Sequence, residues 1–428
     1  MKSINKIIFK IFLFIGIIEI ISSIIIYPEI AKYWRHENII NYYKPMLNYT
    51  IFAILIGGLT VVLGFIVLKS KYQIIINIII TIFILSIIFL SDRLILAKVG
   101  LSLWDYDKVL IYKQRPNTTF SWGSEYNNKL IHINKFGFHD DEFKLKKAQE
   151  EIRILVLGNS IVMGHGVTRN ETFSNQLEFL LNYSLKSNHS YQVIDAGVQG
   201  YSTSQELEMF KRSLKFNPDI IVDGFCLNDI TEPIFINKKY GGIGYDYHNI
   251  YQISNEILGF IINNTGYGRL ITKLKFKNKI SNAKNIELNS VDSLCNNPFF
   301  NKSVTISWRR NLADILSMKQ LADSLSKPFI ILIFPYTSQL FRGSLQKPQK
   351  YLESFLQGMK INYIDFTEVF QHRIKVDLSK LSANISNKIM NNQISKYYLD
   401  EDHYTSIGHQ VIAKKLYNYL LEESFINN

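Results

Sequence analysis

The chain has 428 residues, of which 47% are hydrophobic, and a formal net charge of +12. This length allows two or three domains with a buried core. Its two cysteines, Cys226 and Cys295, are too few for a disulfide framework and lie in no zinc-binding spacing, so we expect buried thiols. The charge suits an anionic surface, but the lysines are scattered and no arginine-rich patch interleaved with aromatic residues occurs. Nucleic acid is therefore not a predicted partner.

Three apolar stretches lie within the first hundred residues, at about 7–27, 51–68 and 74–90. Each approaches the roughly 20 residues that a helix needs to cross a hydrocarbon core. A cleaved signal peptide would account for the first stretch alone. We therefore predict a transmembrane region with three helices over 1–100.

Lysines set the predicted orientation of these helices. Lys2 and Lys6 precede the first stretch, and Lys69 and Lys71 lie in the short link between the second and third. The positive-inside rule puts these lysines in the cytoplasm and everything after Leu96 outside it, although the basic residues of the 28–49 loop oppose the assignment. Localisation in the cell membrane, multi-pass, with an extracytoplasmic domain, is the prediction.

A single acidic residue, Glu19, stands within the first stretch. An ionisable group in a bilayer raises the question of function. The other charged residue of the stretch, Lys10, lies near its start and no second acidic group accompanies Glu19 to form a relay, so a structural role is favoured over transport.

The composition of the chain changes after residue 100 from mainly apolar to mixed aromatic and polar. Residues 101–150 are predicted as a connector, and apolar runs then alternate with amphipathic stretches. The predicted strands are 153–157, 192–195, 219–225, 328–334 and 361–365, and the predicted helices are 171–186, 203–215, 307–325, 347–358 and 406–421. This alternation is typical of an α/β fold, a three-layer α/β/α sandwich around a parallel sheet. We assign it to 151–425, with an insertion at about 230–305.

Ser160 and His403 form the most informative pair in the sequence. Ser160 directly follows the first strand of this domain, and His403 lies in Asp400-Glu-Asp-His403, just before the last helix. A serine hydroxyl needs an imidazole to take its proton and a carboxylate to hold the imidazole in the right tautomer. The sequence therefore predicts Ser160 as nucleophile, His403 as base and Asp400 as the orienting carboxylate.

Four sequence blocks, in order, resemble those of the SGNH hydrolases, also called the GDSL esterases and lipases. The blocks are Gly158-Asn-Ser160-Ile-Val-Met-Gly164, Asp195-Ala-Gly-Val-Gln-Gly200, Cys226-Leu-Asn228-Asp229 and Asp400-x-x-His403. The chain departs from the family pattern at Asn159, where the family has Asp, and at Cys226, where it has Gly. The resemblance covers about 151–421 and implies carboxylic ester substrates. It also implies an oxyanion hole formed by the backbone N–H groups of Ser160 and Gly200 and the side chain of Asn228, which is the donor set that acyl transfer requires.

Each block alone also suits a structural role. Gly-x-Ser is a common helix-capping turn, Asn228 suits a turn, and the 400–403 segment suits an acidic loop or a weak metal site. Cys226 is better explained as a small buried hydrophobe than as a nucleophile, His409 as a packing or capping residue, and His165 as a loop residue near the site. Val162 stands where an α/β-hydrolase elbow has its second glycine, which disfavours that fold.

The sequence thus predicts a membrane-anchored serine esterase that hydrolyses O-acyl esters, with cell-envelope glycans or lipids as candidate substrates and with no metal or other cofactor. One alternative is an acyltransferase that passes the acyl group to a glycan hydroxyl. Another is a catalytically silent glycan-binding membrane protein. The acyl chain, the leaving group and the oligomeric state are not predicted.

Overall fold

The structure is a computed structural model. It describes residues 2–25, 54–55, 57–66, 73–99, 103–107, 109–122, 126–185, 188–231, 264–340, 343–379 and 392–426. The chain divides into two compact units. The first consists of Met1–Asp105, Thr118–Ser121 and Asn255–Lys275, and the second of Tyr106–Asn117, Trp122–Ser254 and Phe276–Asn428.

The first unit contains three apolar helices, α1 (Lys2–Ile25), α2 (Gly57–Ile66) and α3 (Gln73–Val99). They pack through small and aromatic residues: Phe12 stacks on Phe83 with ring centroids 4.1 Å apart, and a Cβ atom on Gly64 would lie 2.9 Å from the Cβ of Phe12. Such close helix approach at a small residue is common between membrane helices.

Only one helix among the described residues is long and apolar enough to cross a membrane, the part of α3 from Ile78 to Leu96. The apolar helical segments Phe9–Ile18 and Gly57–Ile66 are shorter. Each of these ten-residue segments spans only about 15 Å as a helix. The prediction of three spans is therefore supported for one helix. The 28–49 loop and the side chain of Glu19 lie outside the described residues.

A five-stranded parallel sheet forms the centre of the second unit. Its strands are β5 (Glu151–Gly158), β6 (Ser190–Asp195), β7 (Ile220–Cys226), β8 (Phe329–Phe334) and β9 (Asn362–Asp365). They lie in the order β6-β5-β7-β8-β9. Every residue of β7 and β8 is buried. Strands buried along their whole length are covered on both faces, so the predicted α/β class with a parallel sheet is present.

The helices that lie wholly in this unit are α4 (Ser160–Met163), α5 (Phe173–Ser184), α6 (Thr203–Ser213), α8 (Lys302–Ser324), α9 (Lys347–Gly358), α10 (Phe366–Ser379) and α11 (Ser406–Glu422). Helix α7 (Gly266–Asn296) begins in the first unit and ends in the second. Short 3-10 helices occur at Arg169–Glu171, Leu214–Phe216, Thr337–Gln339 and Gly343–Gln346. Helix α11 packs on α5, and α8 packs on α6.

The strand order places the chain reversal between β5 and β7. The chain passes from β5 to β6 on one side and then crosses to β7 on the other. Ligands of open α/β sheets bind beyond the carboxyl ends of the strands at such a switch point. The segments after β5 and β7, which hold Ser160 and Asn228, therefore meet there.

Each observed strand of the sheet starts and ends within two residues of its predicted bounds. The region predicted as a connector contains four short strands, β1 (Trp104–Asp107), β2 (Ile111–Gln114), β3 (Thr118–Ser121) and β4 (Leu130–Ile133). Of the predicted insertion, residues 232–263 lie outside the described part of the chain. Much of the remainder forms α7.

Candidate active site

Ser160, His403 and Asp400 form a continuous hydrogen-bonded chain. The Nε2 atom of His403 lies 2.9 Å from Oγ of Ser160, and Nδ1 lies 3.1 and 3.0 Å from the two carboxylate oxygens of Asp400. The two ring nitrogens thus face a hydroxyl on one side and a carboxylate on the other. In such an arrangement, a proton can pass from the hydroxyl to the imidazole while the carboxylate stabilises the imidazolium.

The loop that carries His403 is held from both ends. Leu399 N–H donates to the carbonyl of His403 over 2.8 Å, and Thr337 N–H donates to the carbonyl of Glu401 over 2.8 Å. Thr405 then caps α11 by accepting a hydrogen bond from Gly408 N–H. Because the loop is tied to the sheet end and to a helix start, the imidazole is fixed by backbone contacts rather than by its own rotamer alone.

Asp400 is ionised by its surroundings. Burial by itself raises the pKa of Asp400, but the hydrogen bond and charge of His403, together with backbone N–H donors from His403 and Asp402, hold that pKa well below its usual range. The donors reach Oδ1 over 2.9 Å from His403 and 3.1 Å from Asp402. A second carboxylate, that of Asp402, lies 3.4 Å from His403 Nδ1 and is buried.

Ser160, the predicted nucleophile, lies on a tight strand-to-helix turn. Gly158 ends β5 with φ +151°, and a Cβ atom there would lie 2.3 Å from a methyl group of Val162. The next residue, Asn159, caps α4 by accepting the N–H of Ile161 at its side-chain oxygen over 3.0 Å. Ser160 therefore occupies the first position of the four-residue helix α4, where backbone N–H groups have no partner within the helix.

Asn159 also sets the orientation of the predicted oxyanion donor. Its oxygen is used by the Ile161 N–H, so its Nδ2 atom donates to Oδ1 of Asn228 over 3.0 Å and to Oδ1 of Asp229 over 3.2 Å. With its oxygen engaged by Asn159, Asn228 presents its Nδ2 hydrogens as donors to a ligand. An ionised aspartate at this position could not donate these bonds, so the amide of Asn159 has a definite structural role.

Gly200 lies in the loop after β6, which the structure ties to the nucleophile turn. Val198 N–H donates to the carbonyl of Gly158 over 3.0 Å, and Gly200 has φ +75°, a conformation that favours glycine. Tyr112, from the region predicted as a connector, fixes this loop: its hydroxyl donates to the carbonyl of Gln199 over 2.8 Å, and the hydroxyl of Tyr201 donates back to the Tyr112 carbonyl over 2.7 Å. Sequence reasoning missed Tyr112, and no motif marks it.

An aromatic group packs against the imidazole of His403. The His165 ring lies on the His403 ring with centroids 4.3 Å apart, and Trp122 lies on His165 at the same distance. The Tyr126 hydroxyl is 3.1 Å from Nε2 of His165. His165, predicted near the site, is thus in direct contact with the base.

Two further carboxyl groups, those of Asp223 and Asp229, are fully buried near Asn228 in the sequence. Burial raises the pKa of Asp223 on β7 to about 8, and neither of its oxygens has a hydrogen-bond partner among the described residues. Burial and the nearby Asp223 raise the pKa of Asp229 well above its usual range, against the opposing hydrogen bond from Cys226 N–H. That bond, 2.7 Å long, reaches Oδ2 of Asp229 and holds the segment with Asn228.

The remaining predicted residues have structural environments. Cys226 and Cys295 are both buried. His409 is buried in α11, where its Nδ1 accepts the N–H of Phe173 over 3.2 Å and burial lowers its pKa to about 3. Among the described residues, only Asp400, Asp402 and His403 bring three metal-binding atoms within 4.8 Å of one another. The hydrogen bonds of His403 to Asp400 and Ser160 already account for that grouping.

Comparison with known proteins gave structural likenesses only. No family model and no curated protein sequence matches the chain. An acetylxylan esterase from Geobacillus stearothermophilus is similar with a TM-score of 0.36 and 11% identity, over 62% of this chain and 93% of that one. A GDSL-like lipase from Bacteroides thetaiotaomicron is similar with a TM-score of 0.32 and 15% identity, over 64% of this chain and 92% of that one. A lipolytic protein of the G-D-S-L family from Desulfitobacterium hafniense is similar with a TM-score of 0.31 and 10% identity, over 62% of this chain and 98% of that one.

Proposed function

We propose that the protein is a serine esterase of the SGNH type that cleaves O-acyl esters. The observation that carries this proposal is the 2.9 Å approach of His403 Nε2 to Ser160 Oγ, with Asp400 on the opposite ring nitrogen. Ser160 attacks the ester carbonyl, and His403 takes its proton and returns it to the leaving alcohol. His403 then takes a proton from a water molecule that attacks the acyl-enzyme carbonyl, the acid leaves, and the proton returns to Ser160 Oγ.

The oxyanion that forms during attack is held by the backbone N–H groups of Ser160 and Gly200 and by Nδ2 of Asn228. Support for this set comes from the helix start at Ser160, the positive φ of Gly200 and the fixed amide of Asn228. Such preorganised donors stabilise the transition state more than the ground state.

The protein is anchored to the cell membrane by its apolar N-terminal helices, with the hydrolase unit outside the cytoplasm. The support is the apolar span of α3 together with the lysines that flank the predicted spans. A hydrolase in this position reaches acyl groups on envelope glycans or on lipids, which are the substrate classes we propose.

The test is turnover of small acetate esters and acetylated oligosaccharides by the full chain and by Ser160→Ala. The variant should lose at least about 10³-fold in turnover, because the hydroxyl forms the covalent intermediate. Ser174→Ala, a buried serine on α5, is the matched control and should keep its activity. Activity of Ser160→Ala within tenfold of the wild type would refute the proposal, and faster acyl transfer to an added glycan than acid release would replace hydrolysis by transfer.

A further inference from the structure

Helix α7 begins against the last turns of α3. Tyr267 N–H donates to Oδ1 of Asp92 over 2.9 Å, and the Tyr267 hydroxyl is 2.5 Å from Oγ of Ser91. A Cβ atom on Gly266 would lie 1.9 Å from the carbonyl oxygen of Asp92, so only glycine permits this approach. The start of α7 is therefore fixed to one level of α3.

That level is close to the end of the apolar span. The uninterrupted apolar run ends at about residue 90, and Asp92 and Arg93 are the charged residues within the candidate span Ile78–Leu96. Asp92 therefore lies at the polar end of this span. Helices that lie in a membrane interface bury their apolar face about 5–10 Å into the boundary region. The first turns of α7 thus start at the depth of such a helix.

Three apolar side chains form a ridge on these turns. Tyr267, Ile271 and Leu274 follow the four- and three-residue spacing of one helix face, and their exposed fractions are 40%, 64% and 68%. We name this set the α7 ridge. Exposing such side chains to water costs free energy, about 25 cal/mol for each Å² of apolar surface.

The same helix is strongly basic in sequence. Between residues 266 and 286 it carries six cationic residues and no acidic one, and the first acidic residue is Glu287. The cationic residues are Arg269, Lys273, Lys275, Lys277, Lys279 and Lys284. Each basic residue near an anionic bilayer contributes about 1 kcal/mol of attraction.

We propose that the α7 ridge inserts into the surface of an anionic phospholipid bilayer and that the positive charge of the α7 sequence favours anionic lipids. This inference rests on the membrane attachment proposed above. It places the start of α7, which lies within the predicted insertion, at the lipid surface, as a second point of membrane contact besides the apolar helices. An apolar ridge, a basic sequence and an attachment at the polar end of the span together specify this partner.

The experiment uses the full chain in vesicles of phosphatidylcholine, with or without phosphatidylglycerol. Ile271→Cys is labelled with an environment-sensitive fluorophore, and quenching by lipids that carry a quencher on the acyl chain is measured. The native cysteines are buried. Ile306→Cys on α8, where the isoleucine is 40% exposed, is the matched control. We expect several-fold stronger quenching at 271 than at 306, increased by phosphatidylglycerol and reduced by Arg269→Gln with Lys273→Gln.

Flotation of the vesicles separates two kinds of failure. A protein that floats with the vesicles but shows no quenching at 271, or equal quenching at both positions, overturns the ridge proposal alone. Disulfide-linked dimers through Ile271→Cys without quenching would assign the ridge to a second copy of the chain and also overturn it. A protein that does not float refutes the membrane attachment and the ridge together.

Discussion

Two regions of the second unit bury acidic side chains beside the candidate site, with opposite electrostatic outcomes. In the loop before α11, His403 and backbone N–H groups hold the pKa of Asp400 well below its usual range despite burial. In the middle of β7, burial raises the pKa of Asp223 to about 8 because no donor among the described residues offsets it. Burial alone therefore does not determine the charge of a carboxyl group. The donors around it do, and they separate a group that stabilises an imidazolium from one that stays neutral.

The largest effect is expected from Asp400→Asn, which removes the ionised member of the comparison. The amide cannot stabilise the imidazolium and favours the wrong tautomer, so kcat should fall on the order of 10²–10⁴-fold. Steady-state kinetics with a small acetate ester would measure it.

Asp402→Asn is the matched control for this prediction, since its carboxylate is 3.4 Å from the same nitrogen. We expect a smaller loss there. Full activity of Asp400→Asn combined with an inactive Asp402→Asn would transfer the orienting role to Asp402.

Asn228→Ala tests the proposed oxyanion donor, which directly precedes the buried Asp229 in the sequence. Loss of one oxyanion donor should lower kcat about 10²–10³-fold with little change in KM, because the donor acts in the transition state. A variant with unchanged kcat and raised KM would instead make Asn228 a ground-state binding residue.

Asn159→Ala should have a smaller effect through the same donor. It removes the hydrogen bond from Asn159 that orients Asn228, and it also removes the side-chain cap of α4. We expect kcat to fall about tenfold, equivalent to about 1.4 kcal/mol, and the free energy of unfolding to drop by about 1 kcal/mol from the lost cap. The double variant with Asn228→Ala should be no slower than Asn228→Ala alone, and additive losses would show that Asn159 does not act through Asn228.

The smallest effect on activity is expected for Asp223→Asn, and its signature is in stability. A carboxyl group whose pKa is raised by folding stabilises the protein fully below about pH 4, and this contribution is lost as the pH rises towards 8. The wild type should therefore lose part of its free energy of unfolding over that range, and the variant should lose less. Denaturant unfolding at pH 5 and pH 8 would show it.

The contribution of Asp400 to the free energy of unfolding changes with pH in the opposite direction. Its lowered pKa stabilises the folded protein above about pH 4, and this contribution is lost as the pH falls below that value. Equal pH dependence of stability in Asp223→Asn and wild type would show that Asp223 is ionised in the folded protein and would remove the contrast between the two regions.

The sheet and the residues at its edge could be predicted because their signals are local. Short apolar strands, the turn at Gly158 and the spacing of Asp400 and His403 are all visible within a few residues. Helix α7 was missed because its middle, from 275 to 287, is polar and shows no apolar periodicity. Tyr112 and the Asn159–Asn228 bond depend on contacts between segments 69 to 87 residues apart, which no local pattern encodes.

The central claim is that Ser160 is activated by His403, and covalent labelling tests it most directly. The full chain, Ser160→Ala and His403→Ala would be incubated with a fluorophosphonate, and the adduct located by intact-mass and peptide mass spectrometry. We predict one adduct on Ser160 in the wild type, none in Ser160→Ala, and labelling slowed by at least about 10²-fold in His403→Ala. An adduct on another residue, or an equal rate in His403→Ala, would contradict the account.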